Sequence, residues 1–251
     1  MSKLAQKLKD ITESAAPAMG FRAASVSTRA RGPLLLAILA HPDAKSAKAA
    51  IEAGADALVV RSSEAADAKA VAQAAADVPC GVLSKSEAID ASALKEAGLD
   101  FVAFVPACAP ASVLRAEGLG KIAVVPAAAE MESLRGMDRA GVDGVLLEQD
   151  GAGDFVSAQF LMTCYFLSGA MNKPLMAVIP TSAGIEDIGA LWDAGVDGLF
   201  VEAGPARLKE LRKVVSSLPA RSKRKGGKDV PRLPWLGNGR AAHEEEEQED
   251  E

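Results

Sequence analysis

The sequence predicts an eight-stranded β/α barrel, and three observations support that fold class. The phrase Ala-Gly-x-Asp occurs four times, with its glycines at positions 54, 98, 141 and 195. Each copy ends a helix-like stretch and opens an apolar run of strand length, and the spacing is about twice one βα unit. Four further apolar runs, bounded by Gly or Pro, lie between the marked ones. A chain of 251 residues therefore fits one barrel plus a tail.

The eight predicted strands alternate with helix-like stretches along the chain. They are 34–40, 57–60, 80–83, 101–104, 121–125, 144–147, 175–179 and 198–201. Short apolar runs of this kind are typical of buried parallel strands. We predict a TIM-barrel domain over 1–219, which includes an N-terminal extra helix over 1–16, and a disordered C-terminal tail over 220–251.

The repeated phrase has a mechanical explanation. A glycine directly after a helix can adopt the left-handed conformation that ends the helix, and the Asp then begins the turn into the strand. This places the repeat at the N-terminal end of the barrel, where regularity usually reflects stability. We therefore interpret the four Asp residues as structural and expect function at the opposite rim, in the loops that follow the strands.

Composition restricts the class of partner. The net charge is −6, but the last eight residues hold seven acids, and residues 221–240 hold seven Lys or Arg. The barrel itself has no basic excess, which argues against nucleic acid, and no apolar stretch favours a membrane span. Three scattered cysteines do not form a disulfide or zinc pattern. We expect the protein in the cytoplasm.

Two apolar groups suggest a homo-oligomer or a protein partner. The helix before strand 7 concentrates aromatic side chains at Phe155, Phe160, Tyr165 and Phe166, and the tail contains an apolar island at Leu233, Trp235 and Leu236. The helix either packs deeply between its neighbours or has a second covered face, through self-association or docking of the tail. The island either belongs to a solubilising end or docks on the barrel or a partner.

Charged residues at the predicted rim are candidates for catalysis. Lys85 follows strand 3, Glu148 follows strand 6 and Glu202 follows strand 8. A lysine at the mouth of a barrel can act as a general acid or form a Schiff base, and a carboxylate can act as the base. The same carboxylates, with His41, Asp43 and Asp150, could also hold a divalent metal. The alternative is that these are solvated loop charges paired with one another.

The loops after strands 7 and 8 are candidates for phosphate binding. Thr181, Ser182 and Gly184 precede one predicted helix, and Gly204 precedes the next. Backbone N–H groups at such helix starts favour an anion, and Arg61 after strand 2 adds a cation. The carboxylate of Glu202 nearby opposes this interpretation.

Two segments resemble the phosphate-binding β/α barrels, in particular indole-3-glycerol-phosphate synthase and its tryptophan-pathway relatives. The first is 182–188 with 191–202, which is similar to the family's Ser-Gly-Ile turn, helix and strand 8. The second is Val82-Leu-Ser-Lys85, which looks like the family's third strand with its catalytic lysine. The resemblance implies that Lys85 is a general acid and that Ser182 and Gly184 lie near a phosphate. Most of the family's other catalytic residues are not matched.

Together these features predict a barrel that binds a small anionic, possibly phosphorylated, metabolite, with lyase or isomerase activity if it is an enzyme. One alternative is a flavin-binding oxidoreductase, because flavin barrels share the Ala-Gly-x-Asp rhythm. The other is a non-catalytic barrel that acts as an interaction or assembly module through its tail. No cofactor is predicted, and FMN and a divalent metal are left open.

Overall fold

A computed structural model describes residues 2–14, 32–62, 64–129, 136–137, 139–149, 154–219 and 221. Its eight strands are all parallel and close into a barrel in chain order, which confirms the predicted fold class. The strands are β1 (Leu34–Leu39), β2 (Ala57–Val60), β3 (Cys80–Ser84), β4 (Phe101–Phe104), β5 (Gly120–Pro126), β6 (Gly144–Glu148), β7 (Leu175–Val178) and β8 (Val196–Glu202).

Helices cover the outside of the barrel in the described part of the chain. They are α1 (Lys3–Ser14), α2 (Ala44–Glu52), α3 (Ala65–Ala75), α4 (Ala91–Glu96), α5 (Ala158–Ala170), α6 (Ile185–Asp193) and α7 (Pro205–Ser217). A short 3₁₀ helix, Ala111–Arg115, connects β4 to β5. None of the helices within the described ranges is long and apolar enough to span a bilayer.

The strands are buried on both faces, since side chains fill the barrel inside and helices cover it outside. Every residue of β1, β2 and β4 is buried. Aliphatic residues supply most of this core, and Phe101 and Phe200 are among its largest members. Gly81 makes room for Phe101, because a Cβ at Gly81 would lie 2.5 Å from that ring.

The repeated phrase lies at the N-terminal end of the barrel, as predicted. Its four glycines have positive φ values of 96°, 85°, 72° and 94°, the left-handed region that a residue with a Cβ rarely adopts. Three of its Asp carboxylates accept a hydrogen bond from the neighbouring strand: Asp56 from Leu35 N (2.8 Å), Asp143 from Lys121 N (2.9 Å) and Asp197 from Leu175 N (3.0 Å). The repeat therefore ends helices and joins adjacent strands.

The fourth carboxylate, that of Asp100, caps helix α1 instead. It accepts hydrogen bonds from Ser2 Oγ (2.7 Å), Lys3 N (2.7 Å) and Leu4 N (2.9 Å). The N–H groups of Lys3 and Leu4 are backbone donors at a helix start that have no partner within the helix and need another acceptor. Leu4 and Leu8 of the same helix are fully buried, and α1 packs against β5 and β8. The helix thus covers the N-terminal end of the barrel and leaves the opposite end for a ligand.

Of the predicted tail, the structure describes only Arg221. Its guanidinium donates to Asp197 Oδ1 (2.6 Å) and lies 4.2 Å from the centre of the Trp192 ring. The side chains of Arg221 and Asp197 are only 6% and 0% exposed, so the chain just past 219 is held against the bottom of the barrel. The island residues Leu233, Trp235 and Leu236 lie outside the described residues, and the boundary at 219 stays a prediction.

Of the four aromatic residues that precede β7, one is buried in the core and three are exposed. Phe160 is buried, whereas Phe155 is 63% exposed, Tyr165 55% and Phe166 48%. Met162, also on α5, is 64% exposed. Deep packing between neighbouring helices therefore accounts for Phe160 alone.

Candidate functional site

The charged rim residues lie where the C-terminal ends of the strands meet. Lys85 directly follows β3, and Glu148 is the last residue of β6. Lys85 Nζ donates to Glu148 Oε2 at 2.7 Å. Because β3 and β6 are three strands apart around the barrel, this ion pair spans the mouth. The lysine side chain is 62% exposed and the glutamate 28%, so solvent and a ligand can reach both.

Local hydrogen bonds hold the two loops that carry this pair. Ser84, buried at the end of β3, accepts from Ser86 N through its hydroxyl (3.2 Å) and so turns the chain directly around Lys85. On the other side, the Gln149 side chain donates to Phe155 O (3.0 Å) and accepts from Ser157 N (2.9 Å). Gln149 therefore connects the end of β6 to the residues just before α5.

Glu202, the other predicted carboxylate, pairs with Arg61 instead. Arg61 NH1 and Glu202 Oε2 are 3.0 Å apart, and both side chains are about half exposed. Arg61 shares a cavity of about 530 Å³ with Lys85 and Glu148, lined also by Ser62, Leu83, Ser84 and Ser86. Glu202 lines the neighbouring cavity. The structure thus brings Lys85, Glu148 and Arg61 into one cavity, with Glu202 at its edge.

The neighbouring cavity, of about 620 Å³, lies between the start of α2 and the start of α7. Gly204 is the N-cap of α7, with Pro205 at its first position and no acid in the first turn. Apart from Gly204 itself and its two chain neighbours, no atom of the described residues lies within 4 Å of where a Cβ of Gly204 would be. Lys45 and His41 line the same cavity. Lys45 is not among the residues predicted from the sequence. Its position in the first turn of α2, directly after the loop that follows β1, could have suggested that its side chain reaches the mouth.

The groups predicted to bind phosphate beside β7 have protein partners. Thr181 Oγ1 donates to Glu202 O (3.0 Å), and Ser182 Oγ donates to Asp154 O. Gly184 N donates to Asp187 Oδ2 (2.9 Å), so the start of α6 is capped by its own acid. Phosphate binding by these three residues stays a prediction, and Gly204 offers a less acidic helix start.

Arg207 in the first turn of α7 fixes the β7 loop rather than facing the mouth. Its Nε donates to Thr181 O (2.8 Å), and its NH2 donates to Ala183 O (2.7 Å). Its third contact is Glu210 (2.8 Å). Arg207 therefore positions the loop that borders Glu202, a role that the sequence did not suggest.

Metal-binding and nucleophilic residues are sparse in the described part of the chain. Within those ranges no group of three or more His, Cys, Asp or Glu is placed to hold a metal ion, and Asp150 lies outside them. The Asp43 carboxylate caps α2 through Ser46 N (2.6 Å), a hydrogen bond that lowers its pKa. Burial raises the pKa of the Cys80 and Cys164 thiols to about 12, so both stay protonated near neutral pH.

The comparisons with known proteins support the fold. No family model matches the chain, and no curated protein matches it. Among solved structures, the tryptophan synthase alpha chain from Legionella pneumophila subsp. pneumophila superposes with a TM-score of 0.64 at 12% identity, over 86% of this chain and 98% of that one. Ligand-free tryptophan synthase from M. tuberculosis gives 0.62 at 15% identity, over 89% and 100%.

A third similar structure is a differently named enzyme. Thiamine phosphate pyrophosphorylase from Pyrococcus furiosus has a TM-score of 0.56 at 21% identity, over 76% of this chain and 98% of that one. At such identities the likeness shows the fold alone. The sequence-based resemblance to tryptophan-pathway β/α barrels is confirmed at that level.

Proposed function

We propose that this barrel binds a small anionic metabolite at its mouth and acts on it as a lyase or isomerase. The observation that carries the proposal is the 2.7 Å contact between Lys85 Nζ and Glu148 Oε2 in a cavity that also contains Arg61. Lyases and isomerases of this kind move a proton, so they need one group that donates and one that accepts. The pair supplies both in one place.

Each residue has a distinct role in this proposal. Arg61 and Lys85 attract the anion, and its arrival replaces Glu148 as the partner of Lys85. The released Glu148 carboxylate then takes a proton from the substrate, and the Lys85 ammonium returns one to the developing negative charge. Glu202 is paired with Arg61 at 3.0 Å and lines the neighbouring cavity rather than that of Lys85, so Glu148 is the first choice of base.

A phosphate group, if the metabolite carries one, fits best at the start of α7. That helix start has no acidic residue in its first turn, and Lys45 lines the same cavity. The cavity also contains the carboxylates of Asp43 and Glu202, which already have partners in Ser46 N and Arg61. Backbone N–H groups at a helix start favour a phosphate. A structurally similar protein, thiamine phosphate pyrophosphorylase, is named for a phosphorylated compound, which supports this class of ligand for the present chain.

Proton exchange tests the proposal without knowledge of the substrate. The full-length protein is incubated in D₂O with a mixture of small phosphorylated metabolites, and ¹H NMR reports which C–H signals are lost to deuterium. We expect one compound to exchange, and Lys85→Met or Glu148→Gln to slow the exchange by about 10²–10⁴-fold. Matched controls are Lys69→Met and Glu96→Gln on the outer helices, which should leave the rate unchanged.

Two results would count against this function. The first is exchange that proceeds equally in the wild type and in both mouth variants. The second is the absence of exchange together with a yellow preparation or uptake of added FMN, which would favour the flavin-binding alternative.

A further inference from the structure

Helix α5 has an apolar outer face that no described residue covers. Met162, Tyr165 and Phe166 lie one helical turn apart on that face, and Phe155 lies just before the helix; all four side chains are exposed. We call these four residues the α5 face. The helix contains no charged residue at all, whereas the outer helix of a barrel normally has a polar face toward solvent. Such a surface is typical of a binding site.

The size of the α5 face favours an occupant from the same chain. Aromatic side chains present about 150–250 Å² each when fully exposed, so four half-exposed side chains offer on the order of 400 Å². A stable interface between two proteins takes about 800 Å² from each partner. A tethered segment needs less area, because its effective concentration is in the millimolar range.

The C-terminal segment begins close to this face. Trp192 Nε1 donates to Pro219 O (3.0 Å) and Arg221 binds Asp197, so the chain leaves the barrel beneath α6. Helix α6 packs directly against α5, and packed helices lie about 8–10 Å apart. Trp235 follows Arg221 by 14 positions in the sequence, a length that can reach about 45 Å. The α5 face is well within that reach.

The residue types of the C-terminal segment suit a path across α6 to the α5 face. The apolar island Leu233, Trp235 and Leu236 includes Pro234 and follows Pro231, and fixed proline φ angles reduce the entropy lost on docking. Before the island come the bases Lys223, Arg224, Lys225 and Lys228. Helix α6, over which they would pass, carries Glu186, Asp187 and Asp193 and no base. Opposite charges therefore line the route.

We propose that the island at Leu233, Trp235 and Leu236 docks on the α5 face of its own chain. The island covers the apolar helix, and the basic stretch that precedes it lies along the acidic outer surface of α6. The four residues of the α5 face line neither of the two cavities at the mouth. This interaction is therefore independent of the proposed activity.

Tryptophan fluorescence of the full-length protein tests the docking. Trp192 is buried, so acrylamide quenches mainly Trp235, whose signal is identified by comparison with Trp235→Phe. We expect the quenching constant of Trp235 to rise roughly threefold in Met162→Glu/Phe166→Glu, because the indole loses its cover. The matched control is Ala66→Glu/Ala70→Glu on α3, two exposed positions with the same spacing, which should leave the constant unchanged.

A second variant avoids any change to the barrel. Leu233→Ser/Leu236→Ser should raise the constant by a similar factor. Equal constants in the wild type and in either the α5 or the island variant would overturn the proposal. A quenching constant of Trp235 that falls as the protein concentration rises would also overturn the proposal, because it would indicate a second copy of the chain on this face.

Discussion

At the scale of single residues, the pairing of charges at the mouth determines what the site can bind. Arg61 would attract an anion, but the Glu202 carboxylate 3.0 Å away neutralises much of its charge. Lys85 is opposed in the same way by Glu148 at 2.7 Å. The mouth is therefore nearly neutral without ligand, and an anion must compete with two carboxylates for two cations.

Removal of the Glu202 charge should strengthen anion binding. In Glu202→Gln the Arg61 guanidinium loses its ionic partner, and we expect glycerol 3-phosphate to bind about fivefold more tightly, equivalent to about 1 kcal/mol for an exposed pair. Titration calorimetry of the full-length protein measures the change, with Glu96→Gln as the control. Weaker binding in Glu202→Gln would mean that Glu202 positions Arg61 more than it opposes the ligand.

Some residue-level features were readable from the sequence and others were not. Lys85 and Glu148 were identified because each directly follows a predicted strand, and such residues meet at one rim in a parallel barrel. The pairing of Glu202 with Arg61 depends on which side chains meet across a closed ring, which no local pattern contains. The capping of Gly184 N by Asp187, three residues on, was local and could have been found.

At the scale of elements, the strands were predictable and the attachment of α1 was not. Strand limits agree within two residues because apolar runs and left-handed glycines are local properties. The acceptor for the start of α1 is Asp100, which lies 96 to 98 positions away in the sequence. Only closure of the barrel brings that carboxylate beneath the N-terminal helix.

Asp100 should therefore contribute measurably to stability. Asp100→Ala removes the acceptor of three hydrogen bonds at the start of α1, and we expect the free energy of unfolding to fall by about 2 kcal/mol. Asp100→Asn keeps an oxygen acceptor and should lose less. Urea denaturation gives the free energies, and hydrogen exchange should show faster exchange in α1. A loss below about 0.5 kcal/mol for Asp100→Ala would show that α1 is held by its apolar face alone.

At the scale of the whole molecule, the barrel is covered at its N-terminal end and open at its C-terminal end. Helix α1 and Arg221 both bind at the N-terminal end of the barrel, through Asp100 and Asp197 of the repeat. The C-terminal end carries the two cavities. The repeat therefore contributes to stability, and the opposite rim is open to a ligand. Barrels of this fold class have their stabilising contacts and their binding sites at these two ends.

Arg221, two residues past the predicted boundary at 219, is held against the barrel by Asp197. A chain ended after Pro219 loses the cation beside the fully buried Asp197 carboxylate, and we expect a loss of about 3 kcal/mol. A chain ended after Ser222 keeps that contact but lacks the island that covers the α5 face, so its stability should lie between those of the shorter chain and the full-length protein. Thermal and urea unfolding of the two truncated chains, with Arg221→Met in the full chain as a third variant, measure the difference. Equal stability of the two truncated chains would contradict a stabilising role for Arg221.

The proposed function requires the mouth of this barrel to bind a small anion at Arg61 and Lys85, with the start of α7 in the neighbouring cavity for its phosphate. Amide chemical-shift mapping by NMR, with glycerol 3-phosphate added to the full-length protein, tests this binding. We expect the shifted amides to cluster at Arg61, Lys85, Glu148 and Gly204, and the shifts to disappear in Arg61→Met/Lys85→Met but persist in Lys69→Met. Shifts confined to other surfaces, or unchanged in the mouth variant, would show that the mouth does not bind the anion.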